Sequence, residues 1–379
     1  MTKAKEKSLI ILFLIIIGIP YILWFFLSGF MDSENYEKRE LAERPVFDWR
    51  RIDEFSIDVE NYVNDYLPFR NQMIRFNNVL EYYVFDHSNN ENVIIGKDGW
   101  LFYKESEESS SMECYKGTNL FTEEQLQQML DNLLMTRDNL AVRGCEFVLF
   151  IPSNKERIYA EYVPDYYGEP AEEYATLQLV EYIREHSDIR VVYPYEAMME
   201  AKAALGGEVL LYHKTDTHWN ELGGYVGTSE LLKELGIEMS ALKDENIRIE
   251  QKEDVPGDLA DLLNLGDSID PGKAYTVEGY DMSDVEVVQM DTSMDIVHKN
   301  KNKDPRRFFM IRDSFGIAMV NPIASQFNYS YTIPIFHCTE DLIEEQDPDI
   351  VVLEVLERYV NRLLTFSYDD NREEQSEGA

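Results

Sequence analysis

Basic residues are scarce in this 379-residue chain. Its 35 lysines and arginines face 72 aspartates and glutamates, for a net charge of −37. A nucleic-acid backbone is recognised by a basic surface, so no nucleic-acid partner is expected. Broad contact with anionic lipid is disfavoured for the same reason, whereas a neutral glycan or a cationic surface suits this charge. Cysteine is scarcer still. Cys114, Cys145 and Cys338 are too few, and odd in number, for a disulfide scaffold; one pair with a spare is the most they allow. Cys145 adjoins an apolar run and reads as a core thiol. No GxGxxG stretch occurs, and no GxxxxGK followed by Ser or Thr, so dinucleotide and P-loop readings lose their usual support. CxxC, HExxH and internal repeats are also missing, and no cofactor is expected.

What is present can fold. Hydrophobic residues make up 44% of the chain, with 24 tyrosines and 19 phenylalanines, so the acidity does not imply disorder. The length suits one large domain or two modest ones. Lys3, Lys5 and Lys7 precede Leu9–Leu27, a run without charge that is rich in Ile, Leu and Phe. Its 19 residues reach across a bilayer as a helix, and the lysines place the N-terminus in the cytoplasm. A cleaved signal peptide is the competing reading, but its apolar region is usually shorter and no small-x-small site follows. An uncleaved single-pass anchor is expected over residues 1–31. Residues 32–120 read as a helical lead-in packed on the main domain, 121–366 as the main domain and 367–379 as a disordered acidic tail.

Within the lead-in, Ile52, Phe55, Val59, Tyr62 and Val63 recur at helical spacing, and Val93–Tyr103 reads as a short hairpin. Thr122 with Gln125 forms a capping-box signature for a helix to about Val142. Apolar runs then alternate with helical stretches. Phe147–Ile151, Ile189–Tyr193, Arg307–Ile311, Tyr331–Phe336 and Ile350–Leu353 read as strands, and Val209–Tyr212 as a shorter apolar run. Lys243–Val297 is less regular, with one or two strands expected in Tyr275–Met290. The pattern is α/β with a mostly parallel sheet.

In such sheets, sites gather at the C-terminal ends of strands. Three polar segments qualify: Ser153–Lys155, Asp216–His218 and Arg312–Gly316. Ser314 sits just past a buried strand with Gly316 nearby, where helix-start amides can stabilise an anion. A serine hydroxyl needs a base, and His218 is the best candidate. Asp216, two residues before it, can hold the other imidazole nitrogen. Asp313 either joins the chemistry or fixes the turn. A serine in this setting also serves as an N-cap, and His218 as an ordinary loop residue. Trp219 either packs or binds ligand. Lys155 is either a substrate clamp or a solvated lysine. Arg358 either forms an ion pair, with Glu357 beside it, or grips substrate. His213, Asp216 and His218 have spacing compatible with a metal, with Glu221, Asp258 and His337 free to contribute, but no clear distant ligand stands out, and no metal is expected.

The Tyr212–Gly224 stretch, with Asp216-Thr217-His218-Trp219, resembles the signature of the family named for a DHHW tetrad. That family is similar to the alginate O-acetyltransferases and to SGNH hydrolases with rearranged motif order. Glu37–Pro45, Asn64–Arg70, Gly96–Phe102 and Pro256–Leu259 extend the resemblance over nearly the whole region after the apolar run. Thr217 replaces the tetrad's first histidine, and Arg312 replaces the glycine of the common Gly-Asp-Ser. The resemblance implies a three-layer α/β/α SGNH-like domain with Ser314 as nucleophile, His218 as base and Asp216 as its partner. It implies acetyl transfer to hydroxyls of an exported polysaccharide, supplied by a multi-pass membrane O-acyltransferase. Attack by water instead would make the site a carbohydrate O-acetylesterase. A non-catalytic glycan-binding subunit of an export complex is the alternative outside enzymology, and separation of Ser314 from His218 would favour it.

Overall fold

The computed structural model describes residues 3–27, 41–66, 69–85, 87–88, 90–104, 111–290 and 294–368. Residues 32–40 and 105–110 of the expected lead-in, and the acidic tail from residue 369, lie outside the described residues. The chain divides into two compact units, one of residues 1–89 with 263–268 and one of residues 90–262 with 269–379. The candidate site lies in the second unit.

In the first unit, Lys3–Leu27 is a single 25-residue helix. The transmembrane helix expected here is not identified as one: among the described residues no helix is long and apolar enough to cross a membrane. The described side chains of this helix are exposed, Leu9 at 61% and Phe26 at 73%. Helices Ile52–Asp65 and Arg70–Leu80 follow. Asn78 Nδ2 donates to the Leu263 carbonyl (2.8 Å) and the Tyr83 hydroxyl to the Ser268 carbonyl (2.6 Å), which ties residues 263–268 to these helices.

The second unit begins with the hairpin β1 (Val93–Ile95) and β2 (Leu101–Tyr103). Strands β3 (Glu146–Phe150), β4 (Arg190–Val192), β5 (Arg248–Glu253), β6 (Lys273–Glu278), β7 (Glu286–Met290), β8 (Ile296–Lys299), β9 (Asp304–Arg312), β10 (Phe327–Pro334) and β11 (Ile350–Glu354) follow. Seven of them form one sheet in the order β4-β3-β11-β9-β10-β8-β7, and β5 pairs with β6 in a separate antiparallel ribbon. Strands β4 through β10 in that order run parallel, but β8 is antiparallel to both its neighbours, β10 and β7, so the sheet is mixed. The cause is chain length. Only residues 300–303 join β8 to β9, too few for the crossover that parallel strands require.

The central strands feed two cores. Val148 and Phe150 of β3, Phe308 and Met310 of β9, and Ile350 and Val352 of β11 enter one cluster. Their neighbours Phe147, Leu149, Phe309, Ile311, Val351 and Leu353 enter the other. Side chains that alternate along a strand and are buried on both faces produce the unbroken apolar runs of the sequence. Helix Glu123–Val142 starts with a complete capping box between Thr122 and Gln125. It packs in the second cluster, whereas helix Glu221–Glu234 packs in the first.

One expected stretch differs. Val209–Tyr212 forms no strand, and Tyr212 makes only an isolated bridge to Trp219. Side chains satisfy this backbone instead. The Leu211 amide donates to the Tyr159 hydroxyl (2.9 Å), and Asn220 Nδ2 donates to the Leu210 carbonyl (2.7 Å).

Candidate active site

Ser314 stands at the end of β9, before a helical turn over Phe315–Met319. Asp313 shapes that turn: its Oδ1 accepts the Phe315 amide (2.8 Å) and its Oδ2 the Leu356 amide (3.0 Å). The Asp313 amide in turn donates to Glu354 Oε2 (2.6 Å). Glu354 closes the otherwise apolar β11 and is fully buried. Burial first, and then the neighbouring Asp313 carboxylate, push its carboxyl well above the usual range. Asp313 is thus a turn-forming residue in this structure.

Arg312 turns away from the cavity beside Ser314. It is 1% exposed and donates to the carbonyls of Met294 (2.7 Å) and Asp313 (3.1 Å). Gly316 makes room for it, since a Cβ there would lie 2.7 Å from Arg312 Cβ and Cδ. The side chain that replaces the small glycine is therefore accommodated inside the fold.

The second half of the site is the loop before helix Glu221–Glu234, which Asn220 caps through its side chain on the Gly223 amide. His218 Nδ1 lies 2.6 Å from Asp216 Oδ1, and His218 Nε2 lies 2.7 Å from Ser314 Oγ. A carboxylate only accepts, so Nδ1 carries the proton, and in the neutral ring Nε2 offers its lone pair to Ser314. Asp216 also accepts the His218 amide (2.8 Å) and, at Oδ2, the Asp258 amide (3.0 Å). Burial opposes ionisation of Asp216, but the His218 ring bond and charge and the two backbone amides outweigh it. They hold the carboxyl well below its ordinary value. Gly257 permits the approach of Asp258, because a Cβ on it would sit 2.2 Å from Asp216 Cβ.

Thr217, in place of the tetrad's histidine, fastens the same corner. Its amide donates to Asp258 Oδ1 (2.7 Å) and its hydroxyl to Asp258 Oδ2 (2.6 Å). Ligand atoms of Asp216, His218 and Asp258 lie within 4.8 Å of one another, close enough to suggest a metal. Yet each carboxylate is engaged by backbone or ring N–H groups, and His218 Nε2 faces Ser314. That donor set fits an orienting network better than a cation cradle. His213 is held by Asp254 (2.6 Å), outside that trio, and His337 pairs with Asp295 (3.4 Å).

Trp219 is 2% exposed, and its Nε1 donates to the Phe315 carbonyl (2.9 Å). Lys155 is neither a surface lysine nor a clamp in the cavity. It is 2% exposed, and its Nζ donates to the carbonyls of Leu101 (2.7 Å), Asp216 (2.8 Å) and Lys214 (3.0 Å). Burial pulls its pKa down to about 7, against the opposing charges of Glu156 and Asp216. The three carbonyls match the three donors of an ammonium, and the faces of Trp100 and Phe102 lie 5.1 and 5.2 Å away. Arg358 forms no ion pair with Glu357, which faces Arg157 (3.6 Å). Its guanidinium lies over the rings of Tyr103 (5.1 Å), Tyr359 (5.3 Å) and Phe315 (5.7 Å).

A cavity of about 450 Å³ opens beside Ser314, His218 and Asp216, and its wall includes Glu221, Tyr225 and Tyr280. Glu354 and Tyr280 were not singled out from the sequence. A carboxylate at the end of Ile350–Glu354 was the available signal for the first; Tyr280, in an irregular stretch, offers none.

A mixed α/β sheet with Ser314, His218 and Asp216 in hydrogen-bonded series over its edge defines an SGNH-hydrolase-like domain. The chain belongs to the family described as SGNH hydrolase-like domain, acetyltransferase AlgX, whose model matches residues 93–300. The match ends before β9, so Ser314 lies beyond it. Over 144 residues the chain is 32% identical to the probable alginate O-acetylase AlgJ of Pseudomonas putida, covering 37% of this chain and 32% of that protein. The chain spans between 32% and 53% of the length of the curated alginate relatives it matches. Among solved structures, Bacillus cereus PatB1 with a sulfonyl adduct aligns with a TM-score of 0.52 and 14% identity, over 73% of this chain and 100% of that one. A DHHW family protein from Eubacterium siraeum aligns with a TM-score of 0.52 and 14% identity, over 74% and 99%. These two likenesses concern the fold.

Proposed function

We propose that this protein is an O-acetyltransferase that moves acetyl groups onto hydroxyls of a cell-surface or exported glycan through an acetyl-serine intermediate. The observation that carries the reading is the unbroken series Asp216–His218–Ser314, with bonds of 2.6 and 2.7 Å. The family's acetyltransferase description supports the same chemistry. The contact between Ser314 and His218 favours an enzyme over a non-catalytic glycan-binding subunit.

In the first half-reaction, His218 Nε2 takes the Ser314 proton while Oγ bonds to the acetyl carbon. The carbonyl electrons pass to oxygen. Asp313 occupies the Phe315 amide, so the donors to that oxyanion must come from other groups lining the cavity beside Ser314. Collapse of the intermediate breaks the bond to the donor's leaving group, which takes the proton from His218. In the second half, His218 deprotonates a sugar hydroxyl, which attacks the acetyl-serine; Oγ leaves and recovers its proton. Water in place of the sugar yields acetate and makes the same site an esterase.

A membrane placement is supported by the uncharged Leu9–Leu27 run behind Lys3, Lys5 and Lys7. As a helix, 19 residues extend about 28 Å, close to a bilayer's hydrocarbon core. The proposal is a single-pass anchor with a cytoplasmic N-terminus, the remainder outside, and a multi-pass membrane O-acyltransferase as acetyl supplier.

The test uses purified protein, an activated acetyl ester and acceptor oligosaccharides, read by intact mass and product analysis. Acetylated sugar that disappears in both Ser314→Ala and His218→Ala establishes the transferase. Acetate alone, lost in both variants, establishes the esterase. Folded protein that never carries acetyl on Ser314 and never turns over overturns both.

A further inference from the structure

The cavity beside Ser314 does not end at the triad. Tyr225 and Tyr280 line it on one side and also line a second cavity of about 540 Å³. Tyr225 is rigidly placed: it is 1% exposed, and its hydroxyl donates to the Ser240 carbonyl (2.7 Å). The Tyr280 ring packs 5.6 Å from it and keeps part of its surface open. Two chambers thus share an aromatic partition of the kind on which the apolar face of a sugar ring can rest.

The charge around this partition is acidic on the Ser314 side and mixed, with acids in excess, on the other. Asp216 and Glu221 line the first chamber, and no lysine or arginine does. Its two histidines are both held by carboxylates, His213 by Asp254 and His218 by Asp216, so Glu221 is the acid of this wall that no histidine engages. The second chamber is lined by Glu238, Glu245 and Asp281 together with Arg248 and Lys303, and Lys303 is engaged by Asp281 (3.1 Å). Burial, and then the charges of Glu221 and Glu278, push the Tyr280 phenol up to about 12. The field of Glu221 therefore reaches the partition itself. A ligand carboxylate lodged there would meet like charges at short range in a partly dry site.

We propose that the two chambers form one acceptor cleft, divided by Tyr280, which holds at least two consecutive sugars of a glycan free of carboxylates. The proposal rests on the transferase reading of Ser314. Uncharged and amine-bearing sugars fit the cleft, and polyuronates are repelled from it. Tyr280 is the specificity-determining residue, and Glu221 sets the sign of the charge that is tolerated.

The experiment is a direct binding measurement on the full-length Ser314→Ala protein, which removes turnover. An α-1,4-galacturonate hexamer is compared with the same hexamer after carboxyl reduction, so that linkage and ring shape stay matched, and with a chitosan hexamer. At least one of the two carboxylate-free hexamers is expected to bind tenfold or more tightly than the uronate. Added Tyr280→Ala weakens that binding at least tenfold, whereas Tyr280→Phe, which keeps the ring, stays within threefold. The matching dimer binds more weakly than the hexamer. Uronate binding equal to or tighter than that of the other two overturns the proposal. So does failure of both carboxylate-free hexamers, or an unchanged affinity in Tyr280→Ala. Acetylation of Ser314 in the wild-type protein by an activated ester, read by intact mass without saccharide, tests the transferase reading separately. Its failure leaves the binding result standing.

Discussion

The indole of Trp219 donates to the carbonyl of Phe315 across 2.9 Å, so the residue after His218 is tied to the residue after Ser314. Ser314 and His218 are 96 residues apart in sequence, and this bond joins the two segments that carry them. Trp219→Phe keeps most of the buried ring and removes the donor. It should cost about 1 kcal/mol in stability, the typical net worth of one hydrogen bond. The loss in turnover should be larger, about tenfold or more, because small misplacements at a reacting centre are expensive. Thermal unfolding together with turnover checks the split.

Asp216 gives a pH signature. Its folded carboxyl is held well below the ordinary value, so its contribution to stability is complete above the unfolded value near 4 and is lost as pH falls towards the folded value. Asp216→Asn should therefore be destabilised relative to wild type by a constant amount above about pH 5, and the gap should narrow below about pH 4. Activity should fall about a thousandfold or more, since the amide no longer fixes the tautomer of His218. Denaturant titrations at several pH values test the first claim and turnover the second.

Glu354 predicts the opposite slope. Its folded carboxyl is raised, so the folded state keeps a proton that the unfolded chain has released, and stability falls as pH rises above the unfolded value. Glu354→Gln copies the neutral acid. It should fold, keep the bond to the Asp313 amide, and gain on wild type as pH increases from 5 to 9. Glu354→Leu strands that amide and should cost about 1–3 kcal/mol at all pH values. Melting temperatures across the pH range check both.

Gly257→Ala should damage the site with little change in surface or charge. The added carbon would lie 2.2 Å from Asp216 Cβ, against backbone that must move to admit it. Overpacking of this kind costs about 1–3 kcal/mol. Displacement of Asp216 should lower turnover more than it lowers donor binding. Steady-state kinetics separates the two.

Much of this architecture is legible in the residues themselves. The strands Glu146–Phe150 and Ile350–Glu354 show because a strand buried on both faces has no polar alternation to disguise it. The start of Glu123–Val142 shows because Thr122 and Gln125 form a local capping device. Asp216, His218 and Ser314 stand out by residue type and setting. Other elements leave no such trace. β5 (Arg248–Glu253) is almost entirely exposed, so no apolar period marks it; β6 alone supplies its register. The apolar run Val209–Tyr212 forms no strand: its backbone is met by the side chains of Tyr159, from elsewhere in the chain, and of the nearby Asn220, and the Asp216 carbonyl beyond it by Lys155. The burial of Lys155 is a tertiary fact, because its acceptors are carbonyls and every residue has one.

Lys155 also couples motions. A single ammonium holds the carbonyls of Leu101, Lys214 and Asp216, and the Leu101 amide returns a bond to Lys214 (3.0 Å). The β1–β2 hairpin and the loop bearing His218 therefore cannot fray one at a time. Opening either leaves a buried charge without its acceptors, so the two segments should breathe as one cooperative unit, with amides on both exchanging at a common rate.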